Sequence, residues 1–228
     1  MRRCATLTLI GFLCATGASA GGNTLQVTSP GLGGTNFKLD VDIVSTGNNE
    51  AWVRDKSPVC EGVYNAEWII ATPTLNPGDL DTDDNLSVLL LRSSAEDGNP
   101  NGNNMRCLVR SRCQSPPCNP QLRCSILELV NGQPRLTVFG QSGFNPSIEN
   151  TFRIELVRDT DVGGNPNGIA RLFRNGQLRG ERLDVDNDLV SLPQSCVDEV
   201  RFGLAERLRP NTIGVAETLS FDEFVSTR

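Results

Sequence analysis

What most constrains this chain is a period-two alternation of apolar and polar residues, carried in short runs that are cut by turn residues. In Phe152-Arg153-Ile154-Glu155-Leu156, the three apolar residues fall on one face of an extended segment and the two charges on the other, because successive side chains of a strand point to opposite sides. Val200, Phe202 and Leu204 oppose Glu199 and Arg201 in the same way, and Tyr64, Ala66, Trp68 and Ile70 oppose Asn65 and Glu67. Leu219, Phe221 and Val225 oppose Ser220 and Asp222, with Phe224 breaking the alternation. Helical periodicity is weak throughout. Strands are expected over 35–44, 63–70, 86–92, 125–130, 136–139, 151–157, 169–174, 197–204 and 219–225. Asn131-Gly132 and Asn175-Gly176 lie between such runs, and both residue types tolerate the positive φ of a type I′ hairpin turn. The pentapeptide Gly-Asn-Pro-Asn-Gly, at 98–102 and again at 164–168, reads as a turn segment used twice. Many short one-sided strands predict an all-β sandwich or closed barrel. No stretch reads as a linker, so one domain is expected over 21–228.

The first twenty residues have the form of a secretory signal: Arg2 and Arg3, a largely apolar run over 5–15, then Ala18-Ser19-Ala20 as a small-residue cleavage site. The run is too short to cross a bilayer, and no second apolar stretch follows, so a secreted product without a membrane span is expected, extracellular or periplasmic. Cleavage removes Cys4 and Cys14 and leaves six cysteines: Cys60, Cys107, Cys113, Cys118, Cys124 and Cys196. An even number in an exported chain reads as disulfides, and the spacing over 107–124 lacks the paired knuckles of a zinc site. Directly opposed residues of an antiparallel hairpin have a constant sum of residue numbers. That sum is 231 both for Cys107 with Cys124 and for Cys113 with Cys118. A hairpin clamped by those two bridges is therefore expected, and Cys60–Cys196 follows by elimination.

Composition removes several classes of function. The chain has no histidine, which excludes the commonest general base and every histidine-ligated metal site. With 21 basic against 27 acidic residues, and with Lys38 and Lys56 as its two lysines, it lacks the cation-rich balance of a nucleic-acid binder.

Arg54-Asp55-Lys56-Ser57-Pro58, Glu61 and Val63-Tyr64-Asn65-Ala66-Glu67-Trp68 resemble the early strands of bacterial concanavalin A-like lectin/glucanase domains. The segments 150–156, Ala170-Arg171-Leu172-Phe173-Arg174-Asn175-Gly176, 199–203 and Phe221-Asp222-Glu223-Phe224 are similar to the closing strands of laminin-G-like jelly rolls. The resemblance covers about 35–228. It implies a two-sheet antiparallel jelly-roll sandwich, here stapled by disulfides, whose concave sheet and rim loops bind glycans, in some members with calcium. Such folds also carry glucanases, polysaccharide lyases and adhesins, so the fold leaves activity open.

The residues argue against catalysis. A retaining glucanase needs two carboxylates on one face of a strand, whereas Asp198-Glu199 and Asp222-Glu223 are adjacent pairs whose side chains diverge. The strand motifs of alginate lyases are missing too. Any carboxylate pair has to come from separate strands, such as Glu67 with Glu155. For ligand binding the candidates are Trp52 beside Arg54 and Asp55, together with Glu67, Arg153 and Glu155; Arg171 and Arg201 extend the charged positions. For a metal, Asp79, Asp81 and Asp83 offer alternate carboxylates to calcium, without the central glycine and terminal glutamate of an EF-hand. The expected function is a secreted, non-catalytic, lectin-like domain that binds a carbohydrate or other cell-surface polymer, with no cofactor apart from calcium. A protein-interaction module is the alternative, and a polysaccharide-cleaving enzyme is less favoured.

Overall fold

A computed structural model describes residues 23–43, 50–56, 60–71, 85–93, 103–111, 120–207 and 217–227. The expected signal segment, the Cys113–Cys118 bridge, the acidic run at Asp79, Asp81 and Asp83, and the first copy of the pentapeptide lie outside these residues.

Thirteen strands form among the described residues: β1 (Thr24–Thr28), β2 (Lys38–Ile43), β3 (Ala51–Lys56), β4 (Val63–Ala71), β5 (Asn85–Arg92), β6 (Asn103–Ser111), β7 (Pro120–Val130), β8 (Gln133–Gly143), β9 (Asn150–Val157), β10 (Gly168–Arg174), β11 (Gln177–Val185), β12 (Glu199–Arg207) and β13 (Glu217–Thr227). They build two antiparallel sheets, one of seven strands in the order β1-β2-β13-β4-β9-β10-β11 and one of six in the order β3-β12-β5-β6-β7-β8. The inward residues of both sheets form one contiguous cluster, centred on Trp68, Phe152, Phe202 and Phe221. Trp68 stacks on Phe152 and meets Phe202 edge-on, so the aromatic residues join the two layers. The expected sandwich is the fold.

Both Asn-Gly turns close hairpins as expected. Asn131 and Gly132 join β7 to β8 with φ of 53° and 71°, and Asn175 and Gly176 join β10 to β11 with φ of 49° and 75°. The β6–β7 register keeps the sum of 231 from Met105↔Ile126 to Ser111↔Pro120, and Cys107 is bridged to Cys124 across it. Cys60–Cys196 ties the segment entering β4 to the segment entering β12, and so joins one sheet to the other.

One face assignment is corrected. Val225 is exposed and Phe224 packs on the core. Glu223 takes a left-handed φ of 49°, and the register of β13 against β4 shifts between Asp222 and Val225. This is a bulge, which turns every later side chain to the opposite face.

Candidate functional site

Each sheet turns one face to the core and one outward, and the two outward faces handle charge differently. On β4, β9, β10 and β11, the outward residues Glu67, Arg153, Glu155, Arg171 and Glu181 form a closed lattice. Glu67 lies directly opposite Arg153 in the register, with Arg153 Nε 3.8 Å from its carboxylate. Arg153 also pairs with Glu155 and stacks over Phe173, 3.9 Å from the ring centre. Arg171 bridges Glu155 at 3.8 Å and Glu181 at 2.5 Å. Its hydrogen bond to Glu181 holds the Arg171 guanidinium above its ordinary pKa. Every charge in this lattice has a partner of opposite sign.

The six-stranded sheet differs. On β3, Ala51 and Val53 belong with the core. Alternation therefore sends Trp52, Arg54 and Lys56 outward, and Asp55 to the inner side at the strand's end. Register then sets Arg54 opposite Arg201, Arg201 opposite Leu90, Leu90 opposite Arg106 and Arg106 opposite Ser125, one transverse row with three arginines. In the next row Leu108 faces Arg123 and Arg123 faces Gln141. Beyond it Arg110 faces Gln121. Among the described side chains, Glu199, which is fully buried, and Glu50 bring acidic groups to this surface, and Glu206 stands in the row of Arg123.

Two polar clusters are built on this face. Arg201 lies 4.3 Å above the Trp52 ring and binds Glu199 at 2.7 Å, while Trp52 Nε1 donates to Glu50 at 2.7 Å. Farther across, Arg110 donates to Gln141 at 2.8 Å, and Gln141 donates to Gln121 at 2.7 Å. Arg106 stands between the clusters. Its Nε is shielded from solvent and has no hydrogen-bond partner among the described residues.

The six expected ligand-binding residues are therefore divided. Trp52 and Arg54 share the six-stranded face, Asp55 turns inward, and Glu67, Arg153 and Glu155 sit on the other sheet, where they satisfy one another. Glu67 and Glu155 do not converge as an acid pair, because Arg153 stands between them. One face of the Trp52 indole is covered by Arg201. Arg106, Arg110, Arg123, Gln121 and Gln141 did not emerge from the sequence reading. Their signal was present as Arg106, Leu108 and Arg110 alternating with Met105, Cys107 and Val109.

At one end of the sandwich, Asp159, Asp186 and Asp188 bring carboxylate oxygens within 4.8 Å of one another. Asp188 accepts the backbone N–H groups of Val190 and Ser191, both at 2.8 Å, and these bonds, led by Ser191, hold its pKa below the ordinary carboxylate value. Burial, followed by the charges of Asp159, Asp188 and Glu128, pushes Asp186 up. Three carboxylates fall short of the six to eight oxygens that calcium takes. Beside this corner, a small, partly open pocket of about 20 Å³ is lined by Tyr64, Asn104, Leu156, Asn187 and Ser195. It has room for one water and none for a sugar.

No family model matches the chain, and no curated protein matches its sequence. Its fold is shared by solved structures. The endo-β-1,4-glucuronan lyase of the fungus Trichoderma reesei superposes with a TM-score of 0.65 at 9% identity, over 92% of this chain and 89% of that one. The alginate lyase Aly36B, in complex with alginate tetrasaccharide, does so at 0.58 and 13%, over 84% and 80%. A PL-14 alginate lyase from Aplysia kurodai gives 0.52 and 11%, over 90% and 87%. At such identities the likeness is one of fold.

Proposed function

We propose that this chain is a non-catalytic, lectin-like module that binds a glycan on the outward face of the six-stranded sheet. The observation that carries this reading is the layer of planar polar side chains there: the Arg110–Gln141–Gln121 chain at one end and the Trp52–Arg201–Glu199 cluster at the other. Guanidinium and amide groups held flat by their neighbours can exchange paired hydrogen bonds with sugar hydroxyls at little entropic cost. The lyases that share the fold act on polysaccharides, which supports a carbohydrate ligand. Against cleavage stand the absence of histidine from the sequence and the burial of Tyr64, its one tyrosine, in the core. Histidine and tyrosine, two of the usual proton-transferring side chains, are thus not available at the proposed surface.

A glycan array probed with the disulfide-bonded chain tests this reading. Retention of at least one polysaccharide class, with loss of that signal in Gln141→Ala, is the expected result. Silence across neutral and acidic glycans sinks it. Release of unsaturated or reducing ends from a bound polymer would replace the non-catalytic part with an enzyme.

A further inference from the structure

Three Asn-Gly pairs lie among the described residues, Asn131-Gly132, Asn167-Gly168 and Asn175-Gly176, and a further pair, Asn101-Gly102, lies outside them. The fold holds the three side chains differently. We infer that Asn131 is a site of covalent modification: in the folded chain it converts spontaneously to isoaspartate, while Asn167 and Asn175 are kept as asparagine by hydrogen bonds of their own side chains.

The reaction needs only water. The backbone nitrogen of the following residue gives up its proton to hydroxide and attacks Cγ of the asparagine. A bond forms between that nitrogen and Cγ, the bond from Cγ to Nδ2 breaks, and ammonia leaves. Water then opens the cyclic succinimide at either carbonyl. Attack at Cγ gives aspartate, and attack at the main-chain carbonyl gives isoaspartate, in which the chain runs on through Cγ. Water is consumed, ammonia is released, and nothing is oxidised or reduced. Glycine as the following residue favours the attack, because it has no Cβ to crowd the nitrogen and its backbone turns freely.

Asn131 and Asn175 occupy the same place in the same kind of loop. Each opens a two-residue hairpin turn, between Val130 and Gln133 in one case and between Arg174 and Gln177 in the other. Their φ angles are 53° and 49°, followed by glycines at 71° and 75°. Both pairs are exposed, and a Cβ at either glycine would meet nothing within 4 Å. Backbone conformation, exposure and crowding are therefore matched, and the side chains are what differ. Asn175 Oδ1 accepts the Thr151 backbone N–H at 2.9 Å, and the Asn175 N–H donates to the Thr151 carbonyl at 2.8 Å, so this residue is clasped to the start of β9. Asn167 Oδ1 accepts the Thr160 N–H at 3.0 Å, and its Nδ2 donates to Thr160 Oγ1 at 3.3 Å. Gly168 behind it is buried and paired with Val185. The Asn131 side chain makes no hydrogen bond to another described residue. Ring closure requires the side chain to rotate until Cγ meets the next nitrogen, and the turn to open locally. A side chain already bonded to the backbone must first break that bond, and Asn131 has none to break. The product alters the fold at that point. Isoaspartate adds a backbone carbon and a carboxylate to a loop that holds Val130 opposite Gln133 with positive φ at both of its residues, and a two-residue turn cannot absorb that length and keep the register.

Ageing the disulfide-bonded chain in mildly alkaline buffer tests the inference, with deamidation at each asparagine followed by peptide mapping and mass spectrometry and isoaspartate scored by isoaspartyl methyltransferase labelling. In the folded chain Asn131 is expected to react at least tenfold faster than Asn167 or Asn175. In the reduced chain held in urea the tethers are gone, and the rates at Asn131 and Asn175 should converge to within about threefold. The peptide carrying Asn131→Gln, whose longer side chain closes a ring far less readily, should stay free of isoaspartate; circular dichroism melting checks that this variant folds, and the comparison of folded with denatured wild type stands without it. Wild type converted at Asn131 should melt below the fresh chain. Equal rates at Asn131 and Asn175 in the folded chain, a difference that persists in urea, or no isoaspartate at Asn131 overturns the inference. So does a faster reaction at Asn175, which would mean that the Thr151 N–H polarises the amide and does not restrain it. A converted chain that melts like the fresh one overturns the loss of register at the turn.

Discussion

Glu128 is only 1% exposed, and it is held there by Arg182, which reaches it from the edge of the other sheet with its nitrogen 2.8 Å away. Removing Arg182 leaves a carboxylate in the interior without its counter-ion. Because the arginine is itself partly solvated, the loss falls below that of a fully buried pair. Arg182→Ala should lower stability by about 2 kcal/mol, measured by urea denaturation. Near it, Asp186 and Asp188 are shifted in opposite directions. The raised pKa of Asp186 means that the folded chain holds this proton more tightly than the unfolded chain does. Its contribution is therefore full below the ordinary value of 3.8 and is lost as pH rises through the higher folded value. Asp188 behaves in reverse: its contribution is present above 3.8 and is lost as pH falls through its lower folded value. Melting temperatures followed from pH 2 to 7 should show Asp186→Asn removing a decline on the neutral side, and Asp188→Asn removing a decline on the acid side. If the two substitutions act on the same limb of the profile, this assignment is wrong.

At the scale of elements, the hairpins and the bridges set the register. Gly176 sits in the β10–β11 turn with a φ of 75°, a region that costs an L-residue about 1–2 kcal/mol. Gly176→Ala should therefore lose about 1 kcal/mol in chemical denaturation without altering the fold. Gly180 on β11 answers to space instead. A Cβ there would lie 2.4 Å from the Cα of Gly140, where the edges of the two sheets approach each other. Cys60–Cys196 spans 136 residues and Cys107–Cys124 spans 17. Loop-closure entropy makes the longer link worth more, about 4–5 kcal/mol against about 3. The Cys60→Ser/Cys196→Ser chain should accordingly melt lower than Cys107→Ser/Cys124→Ser; the reverse order would show that strain, rather than chain entropy, governs these bridges. The β6–β7 hairpin could be read from residue numbers alone, because antiparallel pairing preserves their sum. Three strands were not among the alternating runs, β1, β3 and β11. β11 carries polar residues on both faces, as an edge strand with most of its residues exposed can, and β1 pairs at the opposite edge of the same sheet.

For the whole molecule, among the described residues, the arginines of β9 and β10 are paired with glutamates across their sheet, and Arg201 of the six-stranded sheet is paired with Glu199 and Glu50. If a glycan is held through the arginines of the six-stranded sheet, its binding should weaken as salt is raised, because ionic interactions are screened within about 8 Å at physiological ionic strength. A titration at 50 and 300 mM sodium chloride with a polysaccharide retained on the glycan array measures this directly. A salt-independent affinity would mean that sugar stacking and hydroxyl contacts dominate instead.

Alternation in the sequence was enough to establish the β class, the core residues Tyr64, Trp68, Phe152, Ile154, Phe202 and Phe221, and the pairing of Cys107 with Cys124. These are local or near-local properties, set by the two-residue repeat of a strand and the geometry of a turn. The partnership of strands was decided only in three dimensions. Arg153 and Arg201 look alike in sequence, each on the polar side of an alternating strand, yet the order β1-β2-β13-β4-β9-β10-β11 sets Arg153 opposite Glu67, while β3-β12-β5-β6-β7-β8 sets Arg201 opposite Arg54. Alternation fixes which side of a strand a residue occupies. Which strand lies next to it depends on contacts far apart in the chain, and those contacts determine which charges face one another.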